Sequence, residues 1–147
     1  MLILDCLRLF FLENCPLFSE KGMRINYLPD IPYTFSLNLV SVNPIVKKYA
    51  DGGDLRQFVF TFAMHNFYDC EEENSMHTIA NFEYLANWIE QANNNNLLPE
   101  LFNGFTPVSL SVISTVHQKS HKAAKAVYEI KCKLLYERKE ALTIWED

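Results

Sequence analysis

Four histidines, His65, His77, His117 and His121, are the side chains best suited to proton transfer or metal binding near neutral pH. Their surroundings support neither task. No H-E-x-x-H helix sets two imidazoles and a carboxylate around a zinc ion, and no Gly-x-Ser-x-Gly elbow offers a nucleophile to a histidine base. His117 and His121 have the i, i+4 spacing that puts two ligands on one side of a helix. Here that spacing falls at the end of an expected strand, running into a loop whose Lys119 and Lys122 repel a cation. The acidic groups lead to the same place. Asp69, Glu71, Glu72 and Glu73 precede an expected helix, where negative charge is favoured by about 0.3–1 kcal/mol per group, which is a sufficient reason for the run, with a divalent-ion site the weaker alternative. Asp51-Gly52-Gly53-Asp54 lacks the longer ligand series closing on Glu that a calcium loop needs, and Arg56 stands where charge should be negative. It reads as the turn of a hairpin. Neither G-x-x-x-x-G-K-S/T nor G-x-G-x-x-G is present to cradle a phosphate. The expectation is a chain without catalytic residues, cofactor or metal.

What remains is the scaffold. The 147 residues are 49% hydrophobic and 21% charged, with a formal charge of -5, which excludes disorder and suits one domain over residues 1–147. A chain of this length buries about 68–70% of its unfolded surface, so a core forms without metals or disulfides. The aromatic share of 14%, from 11 Phe, 7 Tyr and 2 Trp, must fill that core or meet a partner. Mild acidity argues against a protein whose task is gripping nucleic acid, though not against one that DNA merely passes through. Met1 to Pro16 is apolar, but it lacks a basic leader and a small-residue cleavage site, carries Asp5 and Arg8, and falls short of the roughly 20 residues that span a bilayer. It is expected to be a buried or interfacial helix of a protein made in the cytosol. Cys6, Cys15, Cys70 and Cys132 show no C-x-x-C spacing and are expected as reduced, half-buried thiols.

Ile3, Leu7, Phe10 and Phe11 recur at helical spacing over Leu2 to Leu12, and Pro16 lies just beyond. Arg24 to Leu28 is a short strand, followed by a turn at Pro29 to Pro32. From Tyr33 the chain alternates, with Tyr33, Phe35, Leu37 and Leu39 on one face and Thr34, Ser36 and Asn38 on the other, the pattern of a half-buried strand. Ile45 to Tyr49 resumes extended structure before the turn at Asp51. Arg56 to His65 follows as a strand with Phe58, Phe60, Phe62 and Met64 on one side, and the next helix is its expected cover. That helix is capped by Asn74 or Ser75, carries Ile79, Phe82, Leu85, Ala86 and Ile89 as its apolar stripe, and ends at Asn93 to Asn96. Leu97 to Pro107 reads as loop, Val108 to Val116 as a strand, and Lys119 to Lys125 as a basic connection. Ala126 to Tyr136 is a last strand with Tyr128, Ile130, Cys132, Leu134 and Tyr136 on one face. The order α-β-β-β-α-β-β predicts an α+β fold, a mostly antiparallel sheet with helices packed on one face.

Charge is segregated along the chain. Lys119, Lys122, Lys125, Lys131, Lys133, Arg138 and Lys139 lie late, whereas Asp69, Glu71, Glu72, Glu73, Glu83 and Glu90 gather around the second helix. Ordinary solvated faces account for such segregation; the alternative is self-complementarity, since opposite patches on one subunit suit head-to-tail association in a ring.

Asn43-Pro44-Ile45 through Tyr49, Asp51-Gly52 and Arg56-Gln57-Phe58-Val59-Phe60 together resemble a family of small tail proteins from bacteriophages of Gram-positive bacteria, the minor capsid or tail-terminator (tail-completion) proteins. The likeness runs on through the helix ending near Trp88, Leu97-Leu98-Pro99-Glu100-Leu101 and Tyr128 to Tyr136, covering nearly the whole chain in order. It departs between Phe102 and Ala126. Some relatives have carried a chloramphenicol-resistance label, but the adjacent histidines that such an acetyltransferase needs are missing here. The resemblance implies a virion protein without enzymatic activity, assembled in the host bacterial cytoplasm and located in the tail or neck. It implies a homo-oligomeric ring, usually hexameric, that caps the tail tube, ends its polymerisation and meets neck or head-completion proteins. DNA would only pass through the lumen, and no membrane is involved. An edge strand or hairpin is a natural docking device for such a ring. The expected interface is Lys47, Lys48, Tyr49, Asp51, Gly52, Gly53, Asp54 and Arg56. A head-completion or connector adaptor is the alternative within virion biology, and a small-molecule-binding α+β domain is the alternative outside it.

Overall fold

A computed structural model describes the backbone of residues 2–21, 23–25, 35–67, 72–102, 104–122 and 125–139; side chains 19–21, 24, 25, 65–67, 72–75, 117–122, 125 and 126 are not described. The expectations for Tyr27, the Pro29 to Pro32 turn, Tyr33, Thr34, Asp69, Cys70 and Glu71 fall outside these residues. So do those for the side chains of His65, His117, His121, Glu72, Glu73, Lys119, Lys122 and Lys125.

The elements are α1 (Ile3–Asn14), α2 (Pro16–Lys21), β1 (Met23–Ile25), β2 (Phe35–Val40), β3 (Ile45–Lys48), β4 (Asp54–Phe67), α3 (Glu72–Asn94), β5 (Phe105–Val112), β6 (His117–Lys122) and β7 (Lys125–Arg138). The fold is α+β. Strands β4 and β7 are its axis, antiparallel along their whole length from Asp54 opposite Arg138 to Phe67 opposite Lys125. Along the free side of β4, β3 pairs with its first residues and β2 with its middle. Likewise β5 and β6 share the free side of β7. Among the described strands only β1 departs from antiparallel order, lying parallel to β2.

Period-two alternation sends one side of β2, β4 and β7 inward. Phe58, Phe60, Phe62 and Met64 lie opposite Leu134, Cys132, Ile130 and Tyr128, with Phe35, Leu37 and Leu110 extending the same apolar layer. The cover differs from the expected one. Phe11 of α1 meets Phe62 at 4.9 Å and Phe60 at 6.3 Å, and Phe18 of α2 stacks on Phe62 at 5.3 Å. Helix α3 lies mainly along β5 and reaches the layer through Phe82, 5.3 Å from Phe35. Trp88 then joins α3 to Phe10 and Phe11 of α1 at 5.6 and 5.7 Å. Edge-to-face ring pairs of this kind add about 0.5–1.5 kcal/mol each beyond burial. The helices therefore share one face of the sheet.

Other differences have local causes. Pro16 opens α2 instead of only ending α1, because its missing N–H costs nothing at a first helical position. Helix α3 begins at Glu72, ahead of the expected Asn74 or Ser75 cap, so the acidic run enters its first turn. The basic connection is strand β6, paired back onto β7. Strand β5 starts at Phe105 and admits Pro107 beside a register shift, as an edge strand can. Ser36 is fully buried, so β2 is covered on both faces at that point. Cys6, Cys15 and Cys132 are buried and unbridged, deeper than the half-burial expected.

On the sheet face away from the helices, Val59, Thr61 and Ala63 are buried although no described helix packs there. They are short, and register sets Val59 between Val40 and Lys133 and Thr61 between Asn38 and Lys131. The sheet edges differ. Asn93 of α3 accepts the Leu110 N–H at 2.9 Å through Oδ1, and Pro107 has no N–H, so β5 is blunted. Strand β3 pairs only with β4 among the described strands. No described helix is long and apolar enough to cross a membrane.

Candidate functional site

The segment from Lys47 to Arg56 forms the β3–β4 hairpin. The Tyr49 N–H donates to the Gly53 carbonyl at 2.8 Å, and the Gly52 N–H to the Tyr49 carbonyl at 3.2 Å. Asp51 Oδ1 accepts the Gly53 N–H at 3.0 Å, an Asx turn that explains Asp at this place. Gly52 has φ +96°, a conformation side-chain-bearing residues rarely adopt. Behind the turn, Asn43 and Gln57 steady the start of β3, with Gln57 Nε2 donating to the Asn43 carbonyl at 2.8 Å.

The hairpin residues divide into two groups. Lys47, Lys48, Asp51 and Gly52 are exposed, and neither lysine has an ion-pair partner among the described residues. Asp54 and Arg56 share the inward parity of Phe58, and Asp54 is only 3% exposed. A carboxylate so buried needs compensating charge. Asp54 Oδ1 accepts from Arg56 Nε at 2.9 Å and Oδ2 from Arg138 Nη2 at 3.1 Å. Register explains the meeting, since Asp54 lies opposite Arg138 and Arg56 opposite Tyr136. Arg56 lies opposite Tyr136, whose hydroxyl pKa is raised chiefly by burial, with the Arg56 charge acting to lower it. On the other face Tyr49 donates its hydroxyl to Glu137 Oε2 at 2.7 Å, and that bond to a carboxylate is the main reason its pKa is raised.

Arg138, Glu137 and Tyr136 are thus partners that the sequence pattern left outside the hairpin, with Arg138 assigned to the late basic patch. The clue lay in parity: Asp54 and Arg56 continue the Phe58–Met64 face, as Arg138 continues the Tyr128–Tyr136 face. Of the other charged groups, Glu83 and Glu90 are exposed on α3 as expected of a solvated face, and Lys131 and Lys133 are half-buried beside β4. His77 is exposed.

Tyr49, Asp51, Gly53, Glu137, Arg138 and Lys139 line a shallow depression of about 340 Å³ on the flank of the hairpin. Its described lining offers charges of both signs but no serine, cysteine or histidine nucleophile. Among the described residues no three His, Cys, Asp or Glu side chains cluster as metal ligands. Burial pushes the Cys132 thiol far up and the Cys15 thiol up to about 11, away from the thiolate that reactive chemistry needs. The arrangement can hold a hairpin in a set direction and present lysines and a strand edge. No protein-family model matches this chain, and no curated protein matches it.

Proposed function

We propose that this chain is a ring-forming structural subunit that caps the tail tube of a bacteriophage, and that the β3–β4 hairpin is its docking element. One observation carries the reading: the hairpin is anchored from within by Asp54, Arg138 and Glu137, while Lys47, Lys48 and the outer side of β3 remain outside that anchor. Directional bonds fix where the hairpin points, so little ordering entropy is lost when a partner strand or acidic surface engages it. The blunted β5 edge favours association through one side of the sheet, the condition for a stack that ends instead of propagating. The ordered resemblance from Asn43 to Tyr136 supplies the identity of the partners: a neighbouring copy, the last tube ring and the neck proteins. In this role the protein works in the virion, uses no cofactor and lets DNA pass without gripping it.

The test is charge reversal at the two outer lysines. Lys47→Glu with Lys48→Glu should leave the fold intact and abolish capping of purified tail tubes. Arg56 is not a suitable third position, because its charge holds Asp54. Tails that still end at normal length and join heads with both lysines reversed would refute the assignment.

A further inference from the structure

A groove of about 320 Å³ runs between α1 and the segment that leads from α3 towards β5. Helical spacing sets Leu9, Phe10 and Glu13 along the α1 wall, and Leu97, Glu100 and Phe102 belong to the other wall. That second wall is held at both ends. Asn96, at φ +59°, closes α3 in the left-handed conformation and the Leu97 N–H returns to the Ala92 carbonyl at 2.8 Å, while the Phe105 N–H donates to the Phe102 carbonyl at 3.1 Å. Its apolar lining stays open to water, with Leu9, Leu97 and Phe102 41%, 42% and 45% exposed.

The charge of the lining is negative. Glu13 and Glu100 are both exposed, neither has an ion-pair partner among the described residues, and no described basic residue lines the groove. Arg8 is exposed on α1, but it shares its side of that helix with Asp5 and Leu12, away from Glu13. Asn14, the remaining amide of the lining, already donates to the Phe10 carbonyl at 2.8 Å. The fitting occupant is therefore an apolar side chain flanked by cations.

The chain carries such a segment at its opposite edge. Register places Lys48, Asp54, Arg138 and Phe105 in one row across β3, β4, β7 and β5. Strand β3 and the segment entering β5 are thus three strand spacings apart, about 14 Å, and contact between them needs a second copy. Along β3 the register shifts between Ile45 and Lys47, leaving Val46 as the extra residue of a bulge, 50% exposed. Lys47 lies opposite Leu55 and Lys48 opposite Asp54, so the two lysines leave the strand on opposite faces. An edge with one lysine to each side suits a groove with one carboxylate on each wall.

We propose that the groove receives β3 of a second copy, with Val46 against Leu9, Leu97 and Phe102, and Lys47 and Lys48 against the carboxylates of Glu13 and Glu100. Each copy offers one donor edge and one acceptor groove, so the contact is heterologous, the kind that generates rings. The inference rests on the reading of this chain as a ring-forming subunit, though not on what the ring caps.

Two double variants test it without tail tubes. Lys47→Glu with Lys48→Glu makes hairpin and groove both acidic, and Glu13→Lys with Glu100→Lys makes both basic. In sedimentation velocity the wild type should associate, more weakly as salt rises, and each variant alone should be monomeric with unchanged far-UV circular dichroism. Mixed in equal amounts, the two variants should associate again, because every hairpin then meets a groove of opposite charge. Glu13→Gln with Glu100→Gln adds no repulsion and should weaken wild-type association severalfold, which keeps the test decisive if the charge-reversed groove misfolds. Unchanged association in either groove variant, or a mixture of the two folded charge-reversed proteins that stays monomeric, would overturn the inference and leave tube capping standing. A wild type that remains monomeric at every concentration would overturn it too. Bare tube ends with a protein that passes these tests would instead defeat the capping reading and leave the groove contact standing.

Discussion

From Phe58 to Met64, strand β4 buries its inward side chains among the rings of α1, α2 and β2, whereas at Asp54 and Arg56 the same face of the same strand turns charged groups towards Tyr136 and Arg138. The first half is held by burial, which is non-directional and indifferent to which atom meets which. The second is held by a few bonds of defined geometry. The difference suggests a division of labour: the apolar half supplies stability, and the polar half sets the direction of the hairpin that carries Lys47 and Lys48.

The sharpest way to break this comparison is to exchange what each half depends on. Phe62→Ala removes a fully buried ring that touches Phe11, Phe18 and Phe60, and should lower unfolding free energy by about 3–5 kcal/mol in urea titrations. Asp54→Asn keeps the volume and removes the charge. It should cost about 2–3 kcal/mol, because Arg138 and Arg56 lose their counter-charge while staying partly in water. A double-mutant cycle with Arg138→Met should show that most of this cost is the coupling between the two positions. If Asp54→Asn is silent, the polar half does not anchor the hairpin.

The thiols sharpen the apolar side. Burial pushes Cys15 from its ordinary 9.0 up to about 11. Between those values the unfolded chain has released the proton and the folded chain retains it. Stability from this group is thus complete below about pH 9 and is lost as pH rises through about 11. Denaturation midpoints measured across that window should decline, and less steeply in Cys15→Ala. The smallest effect belongs to the exposed lysines, where reversal of Lys47 and Lys48 should change stability by no more than about 0.5 kcal/mol.

How much of this was legible in the sequence varied with the same division. Strict alternation exposed β4 and β7, and the stripe Ile79, Phe82, Leu85 and Ile89 exposed α3, because burial leaves a periodic trace. The turn at Asp51 to Asp54 was legible from its glycines. The covering of Phe60 and Phe62 by α1 was not, since periodicity shows that a face is apolar without naming what lies on it. Pro16 carried two meanings, end of one helix and start of another, which local pattern cannot separate. The links from Asp54 to Arg138 and from Tyr49 to Glu137 join residues 84 and 88 positions apart. They exist through the β4–β7 register, which no short motif encodes. The exposed part of the candidate site was therefore readable, and its anchor was not.

The most direct measurement is imaging of purified tail tubes mixed with the wild-type protein and with the Lys47→Glu, Lys48→Glu variant, each shown by circular dichroism to be folded. Rings on tube ends with the wild type and bare ends with the variant are the predicted result. Equal decoration of tube ends by both proteins, or no decoration by either, would contradict the account.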